Sequence, residues 1–124
     1  HTEPHQTENK QDASESVFLT KAIELVEKNL HVPGYSVEQL SRDLCMERTG
    51  LYRKLVAMLD QSPSLFIRNI RLQRAAQLIL EGSLSITEIA ERTGFSSSSY
   101  LSKCFQEMYG CRPSEYAEKM QKST

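Results

Sequence analysis

Six cations fall between residues 48 and 74: Arg48, Arg53, Lys54, Arg68, Arg71 and Arg74, against the single acid Asp60. This stretch therefore carries a balance of +5 inside a 124-residue chain whose net charge is -1. Such a cluster has two readings: it binds phosphate locally, or it is a solvated helix face with an excess of arginine. Catalysis has less to work with. There is no P-loop, no GxSxG elbow and no HExxH. His1 and His5 sit in a polar N-terminal stretch, and only His31 lies among periodic apolar residues, too little for general acid–base work. Cys45, Cys104 and Cys111 are odd in number and lack CxxC spacing, which argues against a zinc site or a disulfide framework. They read as buried, reduced, structural thiols, as in a reducing cytoplasm. No metal, no cofactor and no enzymatic activity are expected.

The elements that position these cations read as helices. Hydrophobic residues make up 39% and charged residues 25% of the chain, an ordinary soluble balance. No apolar run approaches the ~20 residues of a membrane span, so a cytoplasmic domain without membrane contact is expected. Residues 1–15 are polar and aperiodic, lack the apolar core of a signal peptide, and are expected to form a disordered linker. A start on His1 rather than Met suggests part of a longer protein.

From residue 16 the apolar spacing is three and four throughout. Leu19, Ile23, Val26 and Leu30 mark a first helix over about 16–30, broken at His31-Val32-Pro33-Gly34. Ser36 with Gln39 is a capping-box signature opening a second helix that carries Leu40 and Leu44. A third, about 48–58, turns Leu51, Leu55 and Met58 inward. Ser62-Pro63 opens a fourth, serine as N-cap and proline at the first helical position, lined by Leu65, Leu72, Ala76 and Ile79 and ended by Gly82. Ser85 with Glu88 repeats the capping box before Ile86, Ile89 and Ala90. After Thr93-Gly94-Phe95, residues Ser96 to Ser99 lead into a helix carrying Tyr100, Leu101, Cys104 and Phe105, closed by Gly110. Pro113 starts a last helix through Met120. Phe95, Tyr100, Phe105 and Tyr116 are expected in the core.

The two halves match each other. Ser36-Val37-Glu38-Gln39-Leu40 pairs with Ser85-Ile86-Thr87-Glu88-Ile89, Met46 with Phe95 and Leu51 with Tyr100, at an offset of 49 residues. Each half is a short helix, a tight turn and a second helix. The fold expected is all-α: two helix-turn-helix subdomains, 16–61 and 83–124, joined by a linker helix within 62–82, about seven helices in all. A helix-turn-helix sets its second helix in the major groove, where base edges are distinguishable. Two in tandem allow one chain to read two successive groove segments.

The string IRLQRAAQLILEGSLSITEIAERTGFSSSSYLSKCFQEMYGCRPSEY resembles the signature of AraC/XylS-type transcriptional regulators, and LYRKL and FIRNIRL fit the same family. The resemblance covers residues about 17 to 120. FLTKAIELVEKNL and LYRKLVAMLDQSPSLFIRNIRL are similar to the hybrid two-component regulators of gut-type Bacteroidetes, which fuse sensor, kinase and receiver modules to such a domain. It implies a transcription activator that binds double-stranded promoter DNA, contacts RNA polymerase and dimerises through N-terminal modules. It also implies base-reading roles for Thr49, Tyr52 and Arg53 in the first recognition helix, and for Ser98, Ser99, Ser102 and Lys103 in the second. Arg53 is the candidate for a bidentate guanine contact; Tyr52 either reads DNA or packs in the subdomain. Arg48, Lys54 and Ser97 are expected at phosphates, which position without specifying. Arg71 sits where the resemblance implies a brace between subdomains.

Three departures from that pattern concern the first unit. Cys45 stands at a turn position usually held by Gly, Glu47 opens a helix where Ser is usual, and Ser41 replaces a small Ala. They predict weaker DNA binding by this unit. The rival function is a helical protein-docking module, favoured if Arg48, Arg53, Lys54 and Lys103 scatter over different faces.

Overall fold

A computed structural model describes residues 2–32 and 34–122, with side chains from Ala13 onward. The elements are α1 (Thr2–Lys28), α2 (Val37–Asp43), α3 (Arg48–Leu59), α4 (Pro63–Glu81), α5 (Ile86–Arg92), α6 (Ser98–Tyr109) and α7 (Pro113–Lys122). Among the described residues there is no strand. Pro33, part of the expected break after the first helix, lies outside the described residues.

The long linker helix is shared between two cores. Its first half gives Phe66, Ile67 and Ile70 to a cluster with Ala22 and Val26 of α1, Leu40 of α2, and Leu51 and Leu55 of α3. Its second half gives Leu72, Ala75, Ala76 and Leu78 to a cluster with Ile89, Ala90, Phe95, Leu101, Cys104 and Phe105. Each fully buried leucine or phenylalanine contributes about 1.5–3 kcal/mol of transfer free energy. Because one rigid helix feeds both clusters, the two helix-turn-helix units are held on a common rod.

Several local expectations are corrected. The stretch 1–15, expected as a disordered linker, is helical from Thr2. It holds no glycine, and its one proline, Pro4, falls in the first turn, where the missing N–H costs nothing. Ile23, expected inward, is exposed, because Ala22 and Val26 take the deep positions one turn apart. Leu65 is 40% exposed: it is one residue out of phase with Phe66 and Ile70, which carry the buried stripe. Cys104 and Cys111 are buried as expected, whereas Cys45 is exposed in its turn.

Candidate nucleic-acid interface

Each helix-turn-helix is built by the same backbone device. At the end of α2 the N–H of Met46 donates to the carbonyl of Ser41 (2.9 Å) and that of Cys45 to Arg42 (3.0 Å). At the end of α5 Phe95 donates to Ala90 (2.9 Å) and Gly94 to Glu91 (3.3 Å). This is the Schellman arrangement, which satisfies orphan carbonyls and requires a left-handed residue just past the helix. Those residues are Cys45 (φ 57) and Gly94 (φ 80). The cysteine thus accepts a strain of ~1 kcal/mol or more that its glycine counterpart avoids.

The α2 and α5 capping boxes are both formed, with Gln39 in one and Glu88 in the other. The hydrogen bond from the Ser85 backbone N–H, then that from its hydroxyl, hold the Glu88 carboxyl below its ordinary pKa. A depressed folded pKa adds stability at pH above the unfolded value of about 4.3, and that stability is lost as pH falls through the folded value. Gln39 carries no such dependence. The thermal midpoint of Glu88→Gln is therefore expected to fall less steeply than wild type between about pH 5 and about pH 3. Parallel curves would contradict this.

Beyond the turn, the repeat shifts register. Ser41 matches Ala90 and Met46 matches Phe95, 49 residues apart, but the buried pairs Leu51–Leu101 and Leu55–Phe105 lie 50 apart. So do the left-handed helix ends Asp60 and Gly110 and the helix-opening prolines Pro63 and Pro113. One residue is inserted between Phe95 and Ser97. The expected pairing of Leu51 with Tyr100 is therefore wrong, and Tyr100, expected in the core, is 48% exposed. Leu101 takes the buried place instead.

With the shifted register the candidate side chains fall into pairs. Thr49 corresponds to Ser99, Tyr52 to Ser102 and Arg53 to Lys103. At 100° per residue, Thr49 and Arg53 lie on the face of α3 opposite Leu51 and Leu55, and Ser99 and Lys103 lie on the face of α6 opposite Leu101 and Phe105. All four are exposed. Tyr52 is 53% exposed and outside the core. It lines an open groove of about 590 Å³ with Val37, Arg48, Thr49, Ser62 and Pro63. Ser102, its counterpart, is half-buried in the equivalent groove of about 470 Å³ beside Ile86, Arg112 and Pro113.

The phosphate candidates divide. Arg48 is exposed and ends 3.6 Å from Glu38, a pairing of small worth between solvated groups. Ser97 caps α6, its hydroxyl oxygen accepting the N–H of Tyr100 at 3.1 Å, which leaves its hydroxyl hydrogen to donate elsewhere. Ser98 is half-buried in the first turn. Lys54 is not brought together with the others: its ammonium lies over the Phe18 ring, 4.5 Å from the centroid, on the side of α3 toward α1. Glu47 makes no side-chain cap hydrogen bond at the start of α3.

Arg71 fixes the two units against each other. It sits on α4 where the two cores meet and is buried. One guanidinium nitrogen donates to the carbonyl of Leu30 at 2.7 Å and to that of Thr93 at 2.8 Å. The first acceptor ends the α1 region and the second lies in the α5–α6 turn. Burial pulls this guanidinium's pKa down from its usual value. Nearby, Arg68 pairs with Glu107 of α6 at 3.6 Å, a contact the sequence pattern did not suggest.

The helix-turn-helix domain family matches residues 40–119. Among curated proteins, the chain is 39% identical over 99 residues to the Formosa agariphila protein named histidine kinase P4, covering 80% of this chain and 7% of that protein. It is 32% identical over 97 residues to the Pseudomonas aeruginosa HTH-type transcriptional regulator ArgR, covering 78% of this chain and 29% of the other. The chain thus spans less than a third of the length of these relatives. Among solved structures, an AraC-type DNA-binding-domain transcriptional regulator from Chromobacterium violaceum superposes with a TM-score of 0.78 at 30% identity, covering 86% of this chain and 95% of that one.

Proposed function

The chain belongs to the AraC-type helix-turn-helix DNA-binding domains, and from that premise we propose that it reads double-stranded promoter DNA with α3 and α6 in successive major-groove segments. The observation that carries this reading is the duplicated outward face, Thr49 and Arg53 on α3, Ser99 and Lys103 on α6. Successive major-groove segments lie ~34 Å apart on one side of a duplex. The 19-residue α4 is about 28 Å long at ~1.5 Å per residue, a rod of matching scale. Arg53 is the strongest base reader, bidentate to a guanine. Serine hydroxyls both donate and accept, so α6 reads bases less strictly and depends more on Lys103. Arg48 and Ser97 hold phosphates.

The domain binds rather than catalyses. It serves in the cytoplasm as the output module of a larger two-component regulator, which activates transcription through RNA polymerase and pairs through its other modules. Support for this context is the similarity to the Formosa protein named a histidine kinase. The docking-module alternative is not favoured, because Arg53 and Lys103 hold equivalent outward positions in the two units, although Lys54 lies on another side of α3.

The first unit carries a built-in weakness. Glu47 leaves α3 without a side-chain cap and sets a negative charge beside the expected phosphate. Glu47→Ser is expected to stabilise the fold by ~1 kcal/mol and to tighten DNA binding. Unchanged affinity at matched salt would refute it. The function itself is tested by fluorescence anisotropy with a duplex from upstream of the gene and a random duplex of equal length. Tighter binding to the former with a steep negative salt slope is expected. Equal binding to both, by the chain and by a tethered dimer of it, would overturn the reading.

A further inference from the structure

Two grooves meet on one residue. The groove beside α3 is lined by Arg48, Thr49 and Tyr52 and ends on Ser64. A second groove, about 310 Å³, begins on Ser64 and passes Arg68 to Tyr100 in the first turn of α6. Ser64 lines both, so the trough they make borders the first turns of α4 between the two recognition helices. No carboxylate lines its second part. Of the two arginines there, Arg71 is committed to the Leu30 and Thr93 carbonyls. Arg68 is not. Its side chain is 32% exposed and its pairing with Glu107 is long, 3.6 Å between heavy atoms. Its Nε is buried with no hydrogen-bond partner among the described residues.

We propose that this trough holds the DNA strand that crosses between the two major-groove segments, with Arg68 as the cation for a backbone phosphate and the hydroxyl of Ser64 as a further donor. The proposal rests on the DNA reading above. A guanidinium satisfies a phosphate through two parallel N–H donations, whereas the partly solvated carboxylate of Glu107 holds it at one long contact worth little. Glu107 thus stands in for the phosphate in the free protein and gives Arg68 up on binding. Phosphate is common to every sequence, so the site adds affinity without specificity.

The test uses the whole chain with the upstream and random duplexes over a range of salt. Arg68→Met is expected to lower the slope of log K against log salt by about 0.9, the loss of one phosphate contact. It should weaken both duplexes by the same factor and leave the thermal midpoint near the wild-type value. Glu107→Gln should tighten both duplexes, and that gain should vanish when Arg68→Met is added. A wild-type slope in Arg68→Met, or a Glu107→Gln effect that persists without Arg68, overturns the proposal and leaves the DNA reading standing. Wild-type chain that binds neither duplex, alone or tethered as a dimer, overturns both.

Discussion

Gly94→Ala is expected to be the most damaging conservative change in the chain. Gly94 sits at φ +80, where an L side chain is strained, at a cost of roughly 1–2 kcal/mol. A Cβ built there meets the Arg71 guanidinium directly and comes within 2.5 Å of the Leu30 carbonyl oxygen. Neither neighbour is free to retreat, because they are hydrogen-bonded to each other at 2.7 Å. Moving Arg71 breaks buried charged hydrogen bonds worth about 1.5–3 kcal/mol each. Strain plus the loss of one of these bonds gives about 2.5–5 kcal/mol, roughly 10–20 °C in thermal midpoint for a domain of this size. The effect should extend to DNA binding, since the same contacts set one unit against the other. The control is Cys45, the repeat-related position. It is exposed and already left-handed, so Cys45→Gly relieves strain and should leave the midpoint unchanged or slightly raised. Equal, small effects at the two positions, by thermal denaturation, would show that the Gly94 site is not the tight junction described.

Arg53→Ala is expected to have the largest effect on recognition. A bidentate arginine–guanine contact discriminates by about 1–3 kcal/mol, so affinity for the upstream duplex should fall roughly 10- to 100-fold. Binding to a random duplex should fall much less. Lys103→Ala should cost less than Arg53→Ala, and Lys54→Ala least of all, since Lys54 rests on Phe18 rather than on the outward face. Competition anisotropy at fixed salt checks the order. If Arg53→Ala weakens both duplexes equally, Arg53 is a phosphate contact and base reading lies elsewhere.

Much of this architecture was legible because helix boundaries here are written in local chemistry. Ser36, Ser62, Ser85, Gly82 and Gly110 each mark an end by a side chain or by its lack, and every one sits where expected. What stayed hidden depends on register and on contacts distant in sequence. The single inserted residue between Phe95 and Ser97 defeated a fixed offset and sent Tyr100 into the expected core, although Leu101 and Phe105 carried the correct spacing. The polar start of α1 has no apolar period, so only its freedom from glycine and its helix-forming side chains hinted at a helix. The trough at Ser64, the Arg68–Glu107 pair and the Lys54–Phe18 contact join separate helices and leave no trace in spacing. Arg71 is intermediate: the family resemblance implied a brace, and the structure supplies the two carbonyls that make it one.

Both recognition helices are expected to enter the major groove of one duplex. Methylation protection of guanine N7 on the upstream fragment, with the whole chain bound, tests it most directly, because N7 is exposed only in that groove. Two protected windows about one helical turn, ~10 base pairs, apart on the same face are expected, with the window assigned to α3 lost in Arg53→Ala. One window in the wild type, or none alongside backbone protection, would contradict the account.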